Sequence, residues 1–173
     1  RITAGNWRRT RQLSEPLRIL DTDHISLHQR GHAYVLDHIA AVDLRLLAVT
    51  VVSLEESMRG WLAVIRRARD ARQLERVYRY LHEGWDYYRQ QRVLPLEGSA
   101  VARYLQLRQT LKQVGPQDLK IAAIALTYGA VVVTRNSHDF GRIPGLTVED
   151  WTTPQSPEQF DATRQLSTHD CQP

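Results

Sequence analysis

The chain has 173 residues, 42% hydrophobic and 24% charged, the proportions of an ordinary globular protein large enough for a single core. Its only cysteine, Cys171, excludes an intrachain disulfide, and no apolar run reaches the roughly 18 residues that a membrane span needs. We expect a soluble protein of a reducing, cytoplasmic compartment, with no membrane partner. The formal net charge is only +4, yet of 23 basic residues all but Lys112 and Lys120 are arginines. The planar donor fork of arginine matches phosphate oxygens, although genomic composition bias accounts for the skew equally well.

Residues 1–16 are polar and arginine-rich and read as a loose extension. A short strand is expected at 17–21, ending in Asp21, then helices near 24–30 and 32–41 separated by Gly31. Leu46–Val52 is rich in β-branched residues and reads as a buried strand, after which Ser53 opens a helix. Between Trp61 and Arg92 the apolar residues fall at helical spacing, which predicts two long helices. Val93–Leu96 suits a short edge strand because it contains Pro95, and 99–114 an amphipathic helix broken by Gly115 and Pro116. Asp118–Tyr128 is apolar on nearly every face and predicts a deeply buried helix with Gly129 as its C-cap. Strands follow at Ala130–Thr134 and Leu146–Trp151, and 152–173 turns polar and reads as a disordered tail. Strands alternating with helices predict an α/β domain over 17–151, a parallel sheet with right-handed crossovers.

Four acids stand at the ends of these segments: Asp21, Glu56, Asp118 and Asp139. In such folds ligands gather outside the carboxyl ends of the strands, so acids from separate elements can meet there. Carboxylates sharing a pocket repel one another unless a cation joins them, and all-oxygen ligands suit Mg²⁺ or Mn²⁺. Each acid also has a plainer reading. Asp21 or Asp23 could N-cap the next helix, although two acids two apart cannot both do so. Ser53 and Glu56 fit a capping box as well as Glu56 fits a metal site. Asp118 opens a helix where the dipole favours a carboxylate, but that does not account for the sharp turn at Gly115-Pro116. After the strand ending at Thr134, Arg135 offers a cation for a phosphate or for a surface acid. Asn136 offers a weak amide ligand and Asp139 a charge three residues farther out, and spacing does not separate these two. The histidines, among them His24, His28, His32 and His138, form no convincing zinc pattern and read as core or surface residues. Residues 59–92 hold nine arginines against Asp70, Glu75, Glu83 and Asp86, interleaved with aromatics. That stretch suits either an RNA-contacting surface or, more simply, core and dimer aromatics beside a solvated face with pairs such as Glu75 and Arg79.

Five pieces, in order, resemble the PIN-domain ribonucleases of the VapC toxin type. They are Leu20-Asp21-Thr22-Asp23, Val51 to Gly60, Gly115 to Ala123, Val132 to Phe140 and Ile143 to Trp151. The resemblance covers about 17–151 and implies a PIN-like sheet flanked by helices with Mg²⁺ or Mn²⁺ held by acids. It selects Glu56, four residues before Gly60, and matches Asp21 and Asp118 to the family's first and third acids. Asn136 stands where many PIN domains carry Asp, and Asp139 is the nearest acid that could supply that charge. Thr134, Arg135 and Asp23 are supporting candidates. The implied activity is metal-dependent hydrolysis of RNA phosphodiester bonds by the toxin of a toxin–antitoxin pair, with an RNA substrate, a cognate antitoxin and a homodimeric state. Two rival readings are a non-catalytic RNA- or protein-binding module on this scaffold and a haloacid-dehalogenase-type phosphatase. The latter also opens on strand-Asp-x-Asp, but needs a later lysine and a paired acidic motif after a strand, whereas here 131–136 ends in Thr134-Arg135-Asn136 and the only lysines are Lys112 and Lys120.

Overall fold

Apolar alternation in the short strands decides how the layers stack. The computed structural model describes residues 15–154; most of the expected N-terminal extension and C-terminal tail lies outside them. Five strands, β1 (Arg18–Leu20), β2 (Leu47–Thr50), β3 (Val93–Leu94), β4 (Val131–Val133) and β5 (Thr147–Glu149), form one parallel sheet in the order β3-β2-β1-β4-β5. In β1 and β4, Ile19 and Val132 point to one face and Leu20 and Val133 to the other, all fully buried. The first face is covered by the α5 helix (Ser99–Thr110) and the α6 helix (Pro116–Tyr128), through residues such as Tyr104, Leu119 and Ala122. The second face packs on α1 (Thr22–Gln29), α2 (Ala33–Ala41) and Tyr88 of α4 (Ala71–Arg89), and Trp151 closes it. The order turns back between β1 and β4, so a crevice opens past their carboxyl ends.

Several boundaries differ from those expected. α1 begins at Thr22, directly after Asp21, whose carboxylate accepts a hydrogen bond from the Thr22 N–H and serves as the N-cap. β2 stops at Thr50 and α3 (Val51–Ile65) begins three residues earlier than Ser53 suggested, because the Thr50 hydroxyl caps the Ser53 N–H. The Ser53–Glu56 capping box is therefore absent, which leaves Glu56 free to face elsewhere. The β-branched residues Val51 and Val52 suit a strand by propensity, but the cap and the Val52 burial site override it. α6 begins at Pro116, placing Asp118 in its first turn. A short helix, α7 (Ser137–Phe140), capped by the Asn136 side chain, follows β4. Tyr78, Tyr80 and Trp85 of α4 are exposed, so only Tyr88, Val77 and Gly84 join its buried side.

Candidate active site

The parallel register sets Leu20 beside Val133, and the pairing continues through Asp21 N–H donating to the Val133 carbonyl at 3.0 Å. Asp21 thereby lies beside Thr134, whose hydroxyl donates to Asp21 Oδ2 at 2.9 Å. Thr134 Oγ1 in turn accepts the Asn136 N–H at 3.0 Å, folding the chain back over the crevice. Asn136 Nδ2 then reaches both Asp118 Oδ2 and Asp139 Oδ2, each at 3.2 Å. From the other side, the Thr22 hydroxyl donates to Glu56 Oε2 at 2.6 Å. Residues from β1, α1, α3, α6 and the segment after β4 thus meet in one pocket.

Charge is distributed unevenly among these acids. Asp139 is partnered by His138 and Asn136, and those bonds hold its carboxyl below the usual value. Asp23 is burdened by burial, but hydrogen bonds from His24 and Arg135 outweigh that and bring it below its usual value too. Asp21, Glu56 and Asp118 have no Lys, Arg or His nitrogen within 4.0 Å among the described residues. Burial pushes Asp21 up to about 6 even though Thr22 and Thr134 donate to it, and the charges of Asp23 and Asp118 add to the rise. Asp118 is also pushed to about 6, first by burial and then by repulsion from Asp139, Glu56 and Asp23. These mutual repulsions tie the five acids to one electrostatic site.

This is an environment that asks for a cation. Among the described residues no group of three His, Cys, Asp or Glu side chains closes on a single point. The acids are instead held by Thr22, Thr134 and Asn136. An open arrangement of this kind fits Mg²⁺ or Mn²⁺ chemistry, because Mg²⁺ keeps several waters and takes one or two protein carboxylates directly. The donor set is all oxygen, and in two of its members burial and neighbouring charge disfavour the ionised form, a cost that a bound cation would offset.

No protein-family model matches the chain. Two curated proteins share a segment with it. One is the tRNA(fMet)-specific endonuclease VapC of Salmonella typhimurium, 43% identical over 63 residues. The other, of the same name, is from Shigella flexneri and is 38% identical over 64 residues. These matches take in 34% and 35% of this chain and 48% of each relative, so the chain spans about half the length of the curated relatives it matches. Among solved structures, DNA-bound VapBC from Salmonella typhimurium aligns with a TM-score of 0.60 and 26% identity, over 79% of this chain and 99% of the other. VapBC2 from Rickettsia felis, bound to a DNA fragment from its promoter, gives 0.61 and 22%, over 78% and 98%. The fold is that of the VapC-type PIN proteins.

Within that PIN fold, the residues expected from sequence divide into a centre and a rim. Asp21, Glu56, Asp118 and Asn136 converge, with Thr134 beneath them. Asp139 stands at the rim, already paired. Arg135 is exposed, its backbone N–H and Nε both donating to Asp23 Oδ2 at 3.1 and 3.0 Å.

Sequence reasoning passed over two participants. Thr22 reads as part of a helix start, yet its hydroxyl orients Glu56. His24, expected to be an ordinary core or surface histidine, is fully buried and links two parts of the site. Its Nε2 accepts the Trp151 N–H at 3.2 Å, which leaves the proton on Nδ1 to donate to Asp23 at 2.8 Å. The only available signal was the run Thr-Asp-His after a strand, which does not state which atom points where.

Proposed function

We propose that the chain is a metal-dependent endoribonuclease of the VapC type, the toxin of a toxin–antitoxin pair, hydrolysing RNA phosphodiester bonds. The observation that carries this reading is the trio Asp21, Glu56 and Asp118, brought from three elements to the switch point of a parallel sheet with no cation beside them among the described residues. The matched VapC segments, named endonucleases in their own organisms, support the reaction class. The VapBC neighbours support a cognate antitoxin as partner, and a homodimer follows from the same family resemblance.

Asp21, Glu56 and Asp118 would hold Mg²⁺ or Mn²⁺. When bound, such an ion supplies an acidified water and neutralises charge on the phosphate. The protein's own groups set the geometry. Thr134 fixes the Asp21 carboxylate, Thr22 fixes that of Glu56, and Asn136 fixes that of Asp118. In this reading Asn136 takes the fourth place as an orienting amide, and Asp139 adds rim charge that favours cation entry. Arg135, held by Asp23, presents its guanidinium at the mouth, where a phosphate oxygen could meet it.

Calorimetric titration of Mn²⁺ into the wild type and Asp118→Asn, followed by RNA cleavage with each, tests the proposal. Binding and cleavage in the wild type, both lost in the variant, are expected. RNA binding that survives EDTA, with no cleavage under any divalent ion, would replace this reading by a non-catalytic RNA-binding module.

A further inference from the structure

The arginine-rich stretch is not absorbed by the pocket, and its place in the fold is specific. α3 and α4 form an antiparallel hairpin. Its root adjoins the site, where Tyr88 OH donates to the Ser53 carbonyl at 2.9 Å and meets Ser57 Oγ at 2.8 Å. Trp61 packs edge-on against Tyr88 and lies over Gly84. Beyond that contact the hairpin runs outward to a turn at 66–70.

The turn and the start of α4 carry Arg66, Arg67, Arg69, Arg72 and Arg76, all exposed. None of the five has an acid within 4.0 Å among the described residues, whereas Arg59, Arg79 and Arg89 do. Both local acids are already engaged: Asp70 caps α4 through the Gln73 N–H, and Glu75 pairs with Arg79. Beyond the Asp70 cap, the first turn of α4 has no acid and carries Arg72, a charge the helix dipole does not favour there. Five like charges so arranged, with no acid against them, repel one another, as expected of a surface kept for an anionic partner. Arg72, Arg76 and Tyr80 also follow one another at four-residue spacing on one face of α4, and Tyr80 is 57% exposed. A row of guanidiniums continued by an open aromatic ring suits a strand of nucleic acid, whose phosphates and bases alternate.

We propose that this hairpin tip is a phosphate-gripping exosite for the RNA substrate, a surface separate from the acidic pocket. The proposal rests on the ribonuclease reading above. Glu56 and Arg66 are ten residues apart along α3, so the tip lies on the order of 15 Å from the pocket. A stacked strand, rising about 3.4 Å per nucleotide along its axis, covers that distance in four to five nucleotides. The exosite therefore selects for RNA that continues, stacked, for at least that length to one side of the cleaved bond.

The test compares wild type with Arg69→Gln/Arg72→Gln/Arg76→Gln, exposed changes to a helix-compatible residue. Binding of a fluorescein-labelled stem–loop RNA of about 20 nucleotides is followed by anisotropy in EDTA across a salt series. Loss of three phosphate contacts should weaken binding at least tenfold near 0.1 M salt and flatten the slope of log K against log salt by about 2 to 3. Metal-dependent cleavage of an RNA of about two nucleotides should be equal in the two proteins, because the single nucleotide on either side of the cleaved bond cannot span the distance to the tip. Equal affinity and equal slope for the stem–loop would overturn the exosite while leaving the ribonuclease reading intact. If RNA binding is unchanged but the variant loses affinity for poly-glutamate, the tip serves an acidic protein partner and the proposal is wrong. A wild type that binds no RNA even at low salt removes the ribonuclease reading, and the exosite with it.

Discussion

Replacing Asp118 by Asn should make the protein more stable as it makes it inactive. The Asp118 carboxyl sits at about 6 against a reference of 3.8, so the folded protein holds that proton more tightly than the unfolded chain does. Stability contributed by the protonated form is therefore present below about pH 4 and falls as pH rises toward 6, where the charge is forced on the folded state. A rise of about two units corresponds to about 3 kcal/mol. Asp118 is half-buried, and water screening reduces the recoverable part to about 1–2 kcal/mol. Asn keeps an oxygen for Asn136 Nδ2 and carries no charge at any pH. For a chain of this size the gain corresponds to about 3–6 °C in Tm. Thermal unfolding in EDTA should show it in full near pH 7.5 and lose it near pH 3.5. The Asp21 titration, followed by carboxyl NMR, should move down because Asp118 is one of the charges that raise it. Excess Mn²⁺ should reverse the order, adding about 2.7 kcal/mol to the wild type at a hundred times its Kd and nothing comparable to the variant. A variant less stable than wild type at neutral pH without metal, or a gain that ignores pH, would refute the account of mutually repelling carboxylates.

Other consequences concern the groups that hold the acids in place. Thr22→Val removes the hydroxyl that orients Glu56 while keeping shape; cleavage should fall about tenfold with stability changed by less than about 1 kcal/mol, and unaltered kcat would count against an orienting role. His24→Leu strips the partner from the Trp151 N–H and the donor from Asp23, at a cost of about 2–4 kcal/mol in urea unfolding. Amide exchange at Arg135 should quicken as Asp23 loosens, and unchanged exchange would disconnect His24 from the segment after β4. Gly84→Ala drives a Cβ into the Trp61 ring, so the α3–α4 hairpin must shift at a cost of about 1–3 kcal/mol; an unchanged unfolding midpoint would show that Trp61 moves aside freely.

The signals that were legible are local ones. Apolar runs around Ile19, Val49 and Val132 mark strands bounded by polar ends, and an unbroken apolar stretch after Asp118 marks a buried helix. The spacing of Glu56 from Gly60, with the other motifs in order, was enough to point to the PIN fold. Cap identity was harder to read. Thr50 and Ser53 are both competent caps, and only the depth at which Val52 is buried against the sheet chooses Thr50. The aromatics of α4 carried the same ambiguity: helical spacing placed Tyr78, Trp85 and Tyr88 on a common side, but only Tyr88 reaches the core.

By itself, then, the chain's order of residues determined that a parallel α/β sheet forms and that Asp21, Glu56 and Asp118 end near its carboxyl edge, because hydrophobic period and turn chemistry act over a few residues. Tertiary structure alone decided what those acids experience. The β3-β2-β1-β4-β5 order puts Thr134 beside Asp21 and Asn136 against Asp118, contacts spanning 113 and 18 residues of sequence. It sets buried His24 against the Trp151 N–H, joins Asp23 to Arg135, and leaves the central carboxylates without a cation among the described residues. Burial and through-space charge depend on which segments meet, and no local pattern encodes that meeting.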